Sequence, residues 1–527
     1  EVEGGRSLAA ACAFPVNEGM VVRTNTPKVR EARKLVVELL LANHPKSCLT
    51  CDRSQNCELQ ELALELGIHE VRFEGAKPSW PIDDKNPSIV RDPNKCVLCG
   101  RCVRICSEKQ TVNVYTFANR GFDSTVSPAF GKGLDKVKCT FCGQCSAICP
   151  TGAITVKDDS EKVMAAINDP NKVVIVQTAP AVRVALGELF GGEPGSIVTG
   201  KMVGALKMLG FDRVLDTNFT ADLTIMEEAT EFLERFKNNY DMPMITSCSP
   251  GWMNFLELFY PELCKHHSSC KSPQQMFGAL VKTYYAEQQK IDPKNIVSVS
   301  IMPCTAKKFE ALRPEMRSSG YQDVDYVLTT RELGKLLKSA GIFFDDVQEK
   351  EYDSIMGIGT GAGTIFGNTG GVMEAALRTA YEVVTGKTLE NLEFNEVRGM
   401  GGIREADIDL DGTKVRVAVA HGLGNARQVM ESIKAGNPNK WNFIEVMACP
   451  GGCIAGGGQP ISKDINFRAK RIAGLYDDDR HLALRKSHEN PEITAIYKDF
   501  LGKPCGHKSH QLLHAPHIKQ AREIDAN

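Results

Sequence analysis

Cysteine supplies most of the chemistry open to this chain, and it comes in runs. One unit occurs twice: Cys96-x-x-Cys99-x-x-Cys102-x-x-x-Cys106, then Cys139-x-x-Cys142-x-x-Cys145-x-x-x-Cys149-Pro150. Three thiolates at two-residue gaps wrap three corners of one four-iron cubane, and the fourth, three residues on, ligates the neighbouring cluster. The pattern therefore predicts one cluster on Cys96, Cys99, Cys102 and Cys149 and another on Cys139, Cys142, Cys145 and Cys106. A pair of zinc sites is the rival, but zinc takes its ligands as two pairs and needs no such interleaving. The first unit departs slightly, with Ser107 where proline often follows. A third constellation, His44-x-x-x-Cys48-x-x-Cys51-x-x-x-x-x-Cys57, offers one imidazole and three thiolates. Zinc or a cubane could occupy it. Beside two ferredoxin-type clusters, an electron carrier is the expectation. Cys12, in Ala9-Ala10-Ala11-Cys12, is either a structural thiol or the last ligand of a plant-type two-iron cluster whose other cysteines precede residue 1.

Between Cys149 and Cys248 no cysteine occurs, and beyond that they stand far apart. Cys248 lies in Thr246-Ser247-Cys248-Ser249-Pro250-Gly251-Trp252, after a short apolar stretch. Cys304 lies in Met302-Pro303-Cys304-Thr305-Ala306-Lys307, and Cys449 and Cys453 in Glu445-Val446-Met447-Ala448-Cys449-Pro450-Gly451-Gly452-Cys453. Elements must bring these loops together. The β-branched run Lys172–Gln177 reads as a buried strand, with Ile296–Ile301, Val415–Ala420 and Phe443–Met447 as further strands. Val182–Phe190, Leu333–Ser339 and Met373–Val384 carry helical spacing. Strands alternating with helices predict an α/β domain with parallel-type sheets. In such sheets the carboxyl ends of strands converge on one crevice, so the distant cysteines can meet there. The glycines around 451–458 would let backbone approach a bulky cofactor. Three buried structural cysteines are the plainer alternative, which leaves the chemistry of the loops unexplained.

The remaining composition narrows the class. The chain has 527 residues, 42% hydrophobic and 24% charged, with a net charge of −2. That describes a soluble multi-domain protein with no electrostatic case for binding nucleic acid. No apolar run reaches the length of a membrane span; Leu35–Ala42 is interrupted by Glu38. A chain this large needs no disulfides to compensate for a small core, so its nineteen cysteines point to metal and to a reducing cytoplasm. The chain opens with Glu1 and shows no leader pattern, which suggests either processing or numbering that starts inside a longer protein. The run Gly357-Ile-Gly359-Thr-Gly361-Ala-Gly363 lacks the setting of a dinucleotide fingerprint, and neither a flavin nor a nicotinamide motif is present. Cys264, Cys270 and Cys505 are left over as core or surface thiols, and Cys505 with His507, His510 and His514 could also make a tail metal site.

On the three C-terminal loops the chain resembles the iron-iron hydrogenases, which interconvert protons, electrons and dihydrogen. Their loops read Thr-Ser-Cys-Cys-Pro-x-Trp, Met-Pro-Cys-x-x-Lys-x-x-Glu and Glu-x-Met-Ala-Cys-x-x-Gly-Cys-x-x-Gly-Gly-Gly-x-Pro. The second is complete from Met302 to Glu310 and the third from Glu445 to Pro460; the first departs at Ser249. The His-Cys motif also resembles the large iron-sulfur subunit of respiratory complex I. Within the family the layout is similar to the hydrogen-converting subunit of multi-subunit NAD(P)-linked, often electron-bifurcating, hydrogenases.

The resemblance implies an H-cluster: a four-iron cubane joined through cysteine to a di-iron unit with CO, cyanide and a bridging amine dithiolate. Cys453 matches the bridging cysteine, and Cys304 and Cys449 match further cubane ligands. Lys307 matches a donor to cyanide; Met302, Met447, Gln274 and Ser272 match residues packed around the di-iron unit. Glu228, Glu231 and Ser268 match a proton relay, although by spacing the two glutamates are only neighbours on a helix face, more often solvated. In the family's pair of adjacent cysteines the first relays protons and the second ligates the cubane, so the register puts Cys248 in the relay and Ser249 at iron. Because a hydroxyl is a weak ligand and a thiolate forms readily, an exchange is the favoured expectation, with Cys248 ligating and Ser249 relaying.

The expected layout is a two-iron ferredoxin remnant at 1–20, an iron-sulfur domain with one histidine and three cysteine ligands at 21–70, a ferredoxin-like domain with two four-iron clusters at 71–160, an H-cluster catalytic domain at 161–500 and a tail at 501–527. Expected partners are flavin- and NAD(P)-binding iron-sulfur subunits and ferredoxin. A non-catalytic electron-transfer subunit, a hydrogen sensor and an iron-sulfur assembly factor are the alternatives; a wire alone needs neither Lys307 nor the loop Gly456–Pro460.

Overall fold

A computed structural model describes residues 1–75, 77 and 79–516; part of the tail expected at 501–527 lies outside these. Near the N-terminus, helix Pro27–Asn43 starts at Thr26, whose hydroxyl accepts from the Val29 N–H at 3.3 Å. The Glu38 that breaks its apolar run is buried, and Arg72 clamps its carboxylate with bonds of 2.9 and 2.7 Å. Helix Glu58–Glu65 packs against this helix.

The eight-cysteine segment is duplicated in backbone as well as in sequence. In each half a bulky residue, Leu98 or Phe141, takes a left-handed conformation, followed by a left-handed glycine at Gly100 (φ 72°) or Gly143 (φ 67°). The chain then enters a short helix, Arg101–Arg104 or Gln144–Ile148. Tight left-handed turns of this kind curl a cysteine loop back on itself, and glycine adopts them without a Cβ penalty. The strands Ile89–Arg91 and Ile154–Val156 pair antiparallel and close the segment, with Ile89 opposite Val156.

Two four-stranded sheets form the larger part. In the first, Arg213–Asp216, Val173–Thr178, Ile296–Met302 and Tyr326–Thr329 lie side by side in that order, all parallel. In the second the order is Ile403–Leu410, Thr413–His421, Phe443–Met447, Met244–Ile245; the first pair is an antiparallel hairpin and the rest is parallel. Their central strands are buried on both faces, as parallel sheets covered by helices require. The expected α/β architecture and strands are present. The segment Val182–Phe190 is not one helix: it forms two 3₁₀ turns, Pro180–Val182 and Leu186–Phe190, separated where Ala185 leaves helical geometry at φ −131°.

The glycine run after residue 357 serves packing. A side chain at Gly359 would run into Asn218, and one at Gly361 into Asp479, so these glycines let helix Gly361–Ile365 seat on helices Thr217–Asn238 and Phe467–His481. Of the C-terminal helices, Phe467–His481 packs on helix Gly361–Ile365 and His507–Leu513 on helix Pro273–Leu280. Among the described residues no helix is long and apolar enough to cross a membrane.

Candidate functional site

Each of the cysteine loops leaves the carboxyl end of a strand. Met244–Ile245 and Phe443–Met447 are parallel neighbours, so the loops bearing Cys248 and Cys449 start side by side. Ile296–Met302, in the other sheet, delivers Cys304. The thiols of Cys304, Cys449 and Cys453 meet. Burial drives all three up, and Cys449 and Cys453 are raised further by the neighbouring thiols, Cys453 to about 12. Buried thiols that cannot ionise alone but must do so together are matched by a polynuclear iron centre, whose cations remove that penalty. The donor set thus fits a cubane held by Cys304, Cys449 and Cys453.

Lys307 faces the same thiols: its charge lowers Cys304 and Cys453 against their burial. Its ammonium donates to Ser272 Oγ at 2.7 Å, Glu310 Oε2 at 2.9 Å and the Cys248 carbonyl at 3.3 Å. Gln274 donates to the same Glu310 oxygen at 3.1 Å, and its own Oε1 is buried without a hydrogen-bond partner. Met302 and Met447 are the buried last residues of their strands. Lys307, Ser272 and Gln274 are therefore knit together through Glu310, a residue inside the second motif whose tie to the lysine sequence reasoning missed.

Glycines at 451–458 also let loops pack on one another. A side chain at Gly452 would meet the Thr369 backbone N at 2.7 Å, one at Gly456 the Pro303 carbonyl, and one at Gly457 the Gly143 Cα at 2.7 Å. They let backbone approach backbone, clamping the Cys453 loop to the Cys304 loop and to the second cysteine triplet.

At position 249 the serine hydroxyl has a backbone partner. Ser249 starts helix Pro250–Phe259, and its hydroxyl accepts from the Ala448 N–H at 3.2 Å, beside Cys449. Cys248 packs with the cluster containing Met447 and Cys453. Its thiol is pushed well up by burial and then by Glu228. The Ser249 hydroxyl is thus turned to the loop that bears Cys449, while the Cys248 thiol lies in the field of both Glu228 and Cys453.

The two glutamates are not solvated. Helix Thr217–Asn238 buries both, Glu228 at 0% exposure and Glu231 at 7%. Glu228 Oε1 accepts from the Ser247 N–H at 2.8 Å and hydroxyl at 2.6 Å, while Oε2 is buried without a hydrogen-bond partner. Burial raises this carboxyl to about 7, a value suited to giving and taking protons near neutrality. Ser268 donates to Glu231 Oε2 at 2.6 Å, and Arg235 to Oε1 at 2.6 Å. Burial would raise Glu231, but Arg235 and the serine donors bring it below the usual carboxylate range. Arg235 carries no motif signal, and only helical spacing from Glu231 could have pointed to it; Ser247 lies in the first loop motif, but its tie to Glu228 was not visible there.

The accessory cysteines group as the interleaving predicts. Cys102 is pushed up to about 12 by burial and then by Cys96, Cys149 and Cys99. Cys145 is raised by burial and then by Cys142, Cys139 and Cys106. His44 has its Nε2 buried without a hydrogen-bond partner while Nδ1 lies 3.0 Å from the Pro45 carbonyl; it lines one cavity with Cys48, Cys51 and Cys57. An unpartnered imidazole nitrogen beside three thiols fits a metal centre. Cys12 is exposed, and all nineteen cysteines are free of disulfides.

Comparison with known proteins agrees with this arrangement. Residues 172–457 match the family described as iron only hydrogenase large subunit, C-terminal domain, and 464–520 the iron hydrogenase small subunit. Residues 33–72 match the NADH-ubiquinone oxidoreductase-G iron-sulfur binding region and 95–153 a 4Fe-4S dicluster domain. The chain is 51% identical to the NADP-reducing hydrogenase subunit HndD of Solidesulfovibrio fructosivorans, over 99% of this chain and 90% of that protein. It is 44% identical to iron hydrogenase 1 of Clostridium pasteurianum, over 98% and 91%. A solved structure of an apo [FeFe]-hydrogenase variant from Chlamydomonas reinhardtii superposes with a TM-score of 0.62 at 45% identity, covering 69% of this chain and 99% of that one.

Proposed function

This chain belongs to the iron-only hydrogenase family as a catalytic subunit, and on that premise we propose how its residues share the work and where its electrons go. The carrying observation is the meeting of Cys304, Cys449 and Cys453 beside Lys307 at the carboxyl ends of two sheets. When bound, the H-cluster supplies both the Lewis acid and the base that split dihydrogen.

The chain's own residues do the rest. Cys304, Cys449 and Cys453 would hold the cubane, with Ser249 in the register of the fourth ligand. Lys307, oriented by Glu310 and Ser272, presents a charged donor to an anionic ligand of the di-iron unit. Met302 and Met447 keep water from the pocket. Protons pass from Cys248 to Glu228, then through Ser268 and Glu231 toward Arg235. Cys139, Cys142, Cys145 and Cys106 would hold the cluster next to the site and supply the electron exit, on a loop tied to the site by Thr305 Oγ1 donating to the Phe141 carbonyl at 2.7 Å and Gln144 donating to the Ala455 carbonyl at 3.0 Å. Cys96, Cys99, Cys102 and Cys149, and then His44 with its three cysteines, would hold the carriers beyond it.

The relative HndD is named for reduction of NADP, and this chain carries no nucleotide motif. Its electron partner is therefore a separate subunit with flavin and NAD(P), with ferredoxin as a second acceptor. Free thiols throughout suit a reducing cytoplasm. The test is infrared spectroscopy on the matured chain together with dihydrogen-driven reduction of a dye. Bands of iron-bound CO and cyanide and dye reduction are expected. Their absence from fully iron-loaded protein would leave a non-catalytic electron carrier or sensor.

A further inference from the structure

Outside the cysteine loops, one group of ligand-bearing side chains is buried together. Cys270 and His514 face each other across an antiparallel β-bridge, locked by Lys271 N–H to the Leu513 carbonyl at 2.7 Å and Ala515 N–H to the Ser269 carbonyl at 2.9 Å. Cys270 Sγ lies 3.6 Å from Glu231 Oε2, 3.9 Å from His514 Nδ1 and 4.0 Å from its Nε2. All three residues are buried, and a thiol, an imidazole nitrogen and a carboxylate oxygen lie within 4.8 Å of one another. A tetrahedral zinc with metal–sulfur near 2.3 Å and metal–nitrogen or –oxygen near 2.0 Å spans ligand edges of about 3.5 Å. The two sulfur edges, 3.6 and 3.9 Å, need only a small contraction.

Two carboxylates border the thiol. Glu227 and Glu231 are one helical turn apart on the same helix, Glu231 bonded to Arg235 at 2.6 Å and Glu227 to His514 Nε2 at 3.1 Å. His514 Nδ1 is the imidazole nitrogen nearer the thiol, at 3.9 Å. Ser269 Oγ, 2.8 Å from His514 Nδ1 and 3.2 Å from Glu231 Oε1, stands where a fourth ligand or its water would go. A cavity lined by Ser268, Ser269, Cys270, Ala515 and Pro516 reaches the cluster. Mixed sulfur, nitrogen and oxygen donors select a borderline ion over magnesium or calcium.

We propose that Glu231, Cys270 and His514 form a binding site for a thiophilic divalent metal ion, zinc being the best match, and that its occupation closes the proton path. A Glu231 carboxylate bound to a dication can still accept the Ser268 hydroxyl, but it loses the basicity that a relay member needs. The binding site stands on geometry alone; the closure rests on the reading of Glu231 as part of the path.

The test uses matured holoenzyme, zinc sulfate, X-ray absorption at the zinc edge and hydrogen turnover. Expected is one tightly held zinc with one sulfur neighbour near 2.3 Å and nitrogen or oxygen neighbours near 2.0 Å. Turnover should fall by roughly a hundredfold, the weight of one member of a proton chain, with CO and cyanide bands unchanged and recovery on chelation. Cys270→Ala, and Cys270→Ser as a volume-preserving second variant, should keep their turnover, lose the sulfur neighbour and become insensitive to zinc. Cys505→Ala, at the opposite corner of His514, should bind zinc as the parent does. Zinc bound equally by both Cys270 variants, or lost only in Cys505→Ala, overturns the site. Zinc bound at Cys270 with undiminished turnover overturns the closure. Full turnover of zinc-free Glu231→Gln would instead overturn the proton-path reading and leave the metal site standing.

Discussion

Putting a hydroxyl where a thiol could stand changes what one iron of a cubane can hold. Cubanes are held by four thiolates, and here three thiols meet while Ser249 Oγ turns to the Ala448 N–H next to Cys449. Ser249→Cys should therefore alter the electron paramagnetic resonance spectrum of protein carrying the cubane without the di-iron unit, and a small exogenous ligand should perturb that spectrum in the parent far more than in the variant. Cys248→Ala should leave the same spectrum intact. Loss of the cubane from Cys248→Ala would instead restore the exchange expected from sequence. Proton transfer gives a second outcome. Glu228, raised by burial to about 7, sits with its acid form favoured below that value and its base form above. Glu228→Gln removes both forms and should cut turnover by about 10²-fold or more, with iron content and infrared bands unchanged. The ligating and relaying residue types were legible because cysteine spacing and the loop motifs are local. Burial of Glu228 and Glu231 was not: two glutamates on one helix turn look the same in sequence whether solvent or the loop at Ser247 covers them.

Helix Ala306–Ala311 is one turn and a half long, yet it carries Lys307 and Glu310 three residues apart, their charges 2.9 Å from each other and both buried. Such a pair is worth little over an apolar substitute, but removing one partner strands the other and costs about 3–5 kcal/mol. Glu310→Gln should thus lower stability by roughly that amount in denaturant titration, and it should shift the cyanide bands because Lys307 loses its anchor. An unshifted infrared spectrum would show that Ser272 alone holds the lysine. Strands such as Phe443–Met447 were readable because buried parallel strands are continuous β-branched runs. The interrupted stretch Val182–Phe190 was not, since helical spacing does not register the kink at Ala185. Neither did the glycines after Gly451 disclose their use; which backbone approaches them depends on Pro303, Asn368 and Gly143, all distant in sequence.

Across the whole molecule the thiol groups form an ordered series. Cys449 feels Cys142 through space, and Asn254, on the helix that Ser249 starts, donates to the Cys139 carbonyl at 2.9 Å. The paired strands Ile89–Arg91 and Ile154–Val156 then bind the two halves of the duplicated unit into one piece. Beyond it, the Glu58 N–H donates to the Pro150 carbonyl at 3.0 Å, and a side chain at Gly152 would meet Cys51 Sγ at 2.7 Å. Arg53 lies in the field of Cys149, Cys57 and Cys51 together. On the path proposed above the His44 site ends the series, and a partner subunit would draw electrons there. Two substitutions separate the middle of the series from its end. Cys139→Ser, next to the site, should slow dihydrogen-driven reduction of every acceptor, dyes included, while the CO and cyanide bands persist. Cys48→Ser should leave reduction of a small dye that reaches the inner clusters nearly intact, yet abolish transfer to a flavin- and NAD(P)-bearing subunit in a reconstituted assembly. The unaltered chain alone should not reduce NAD(P) with dihydrogen. If it did so unaided, or if Cys48→Ser transferred electrons to the partner as fast as the parent, the His44 site would be a structural metal centre and the exit would lie elsewhere on the chain.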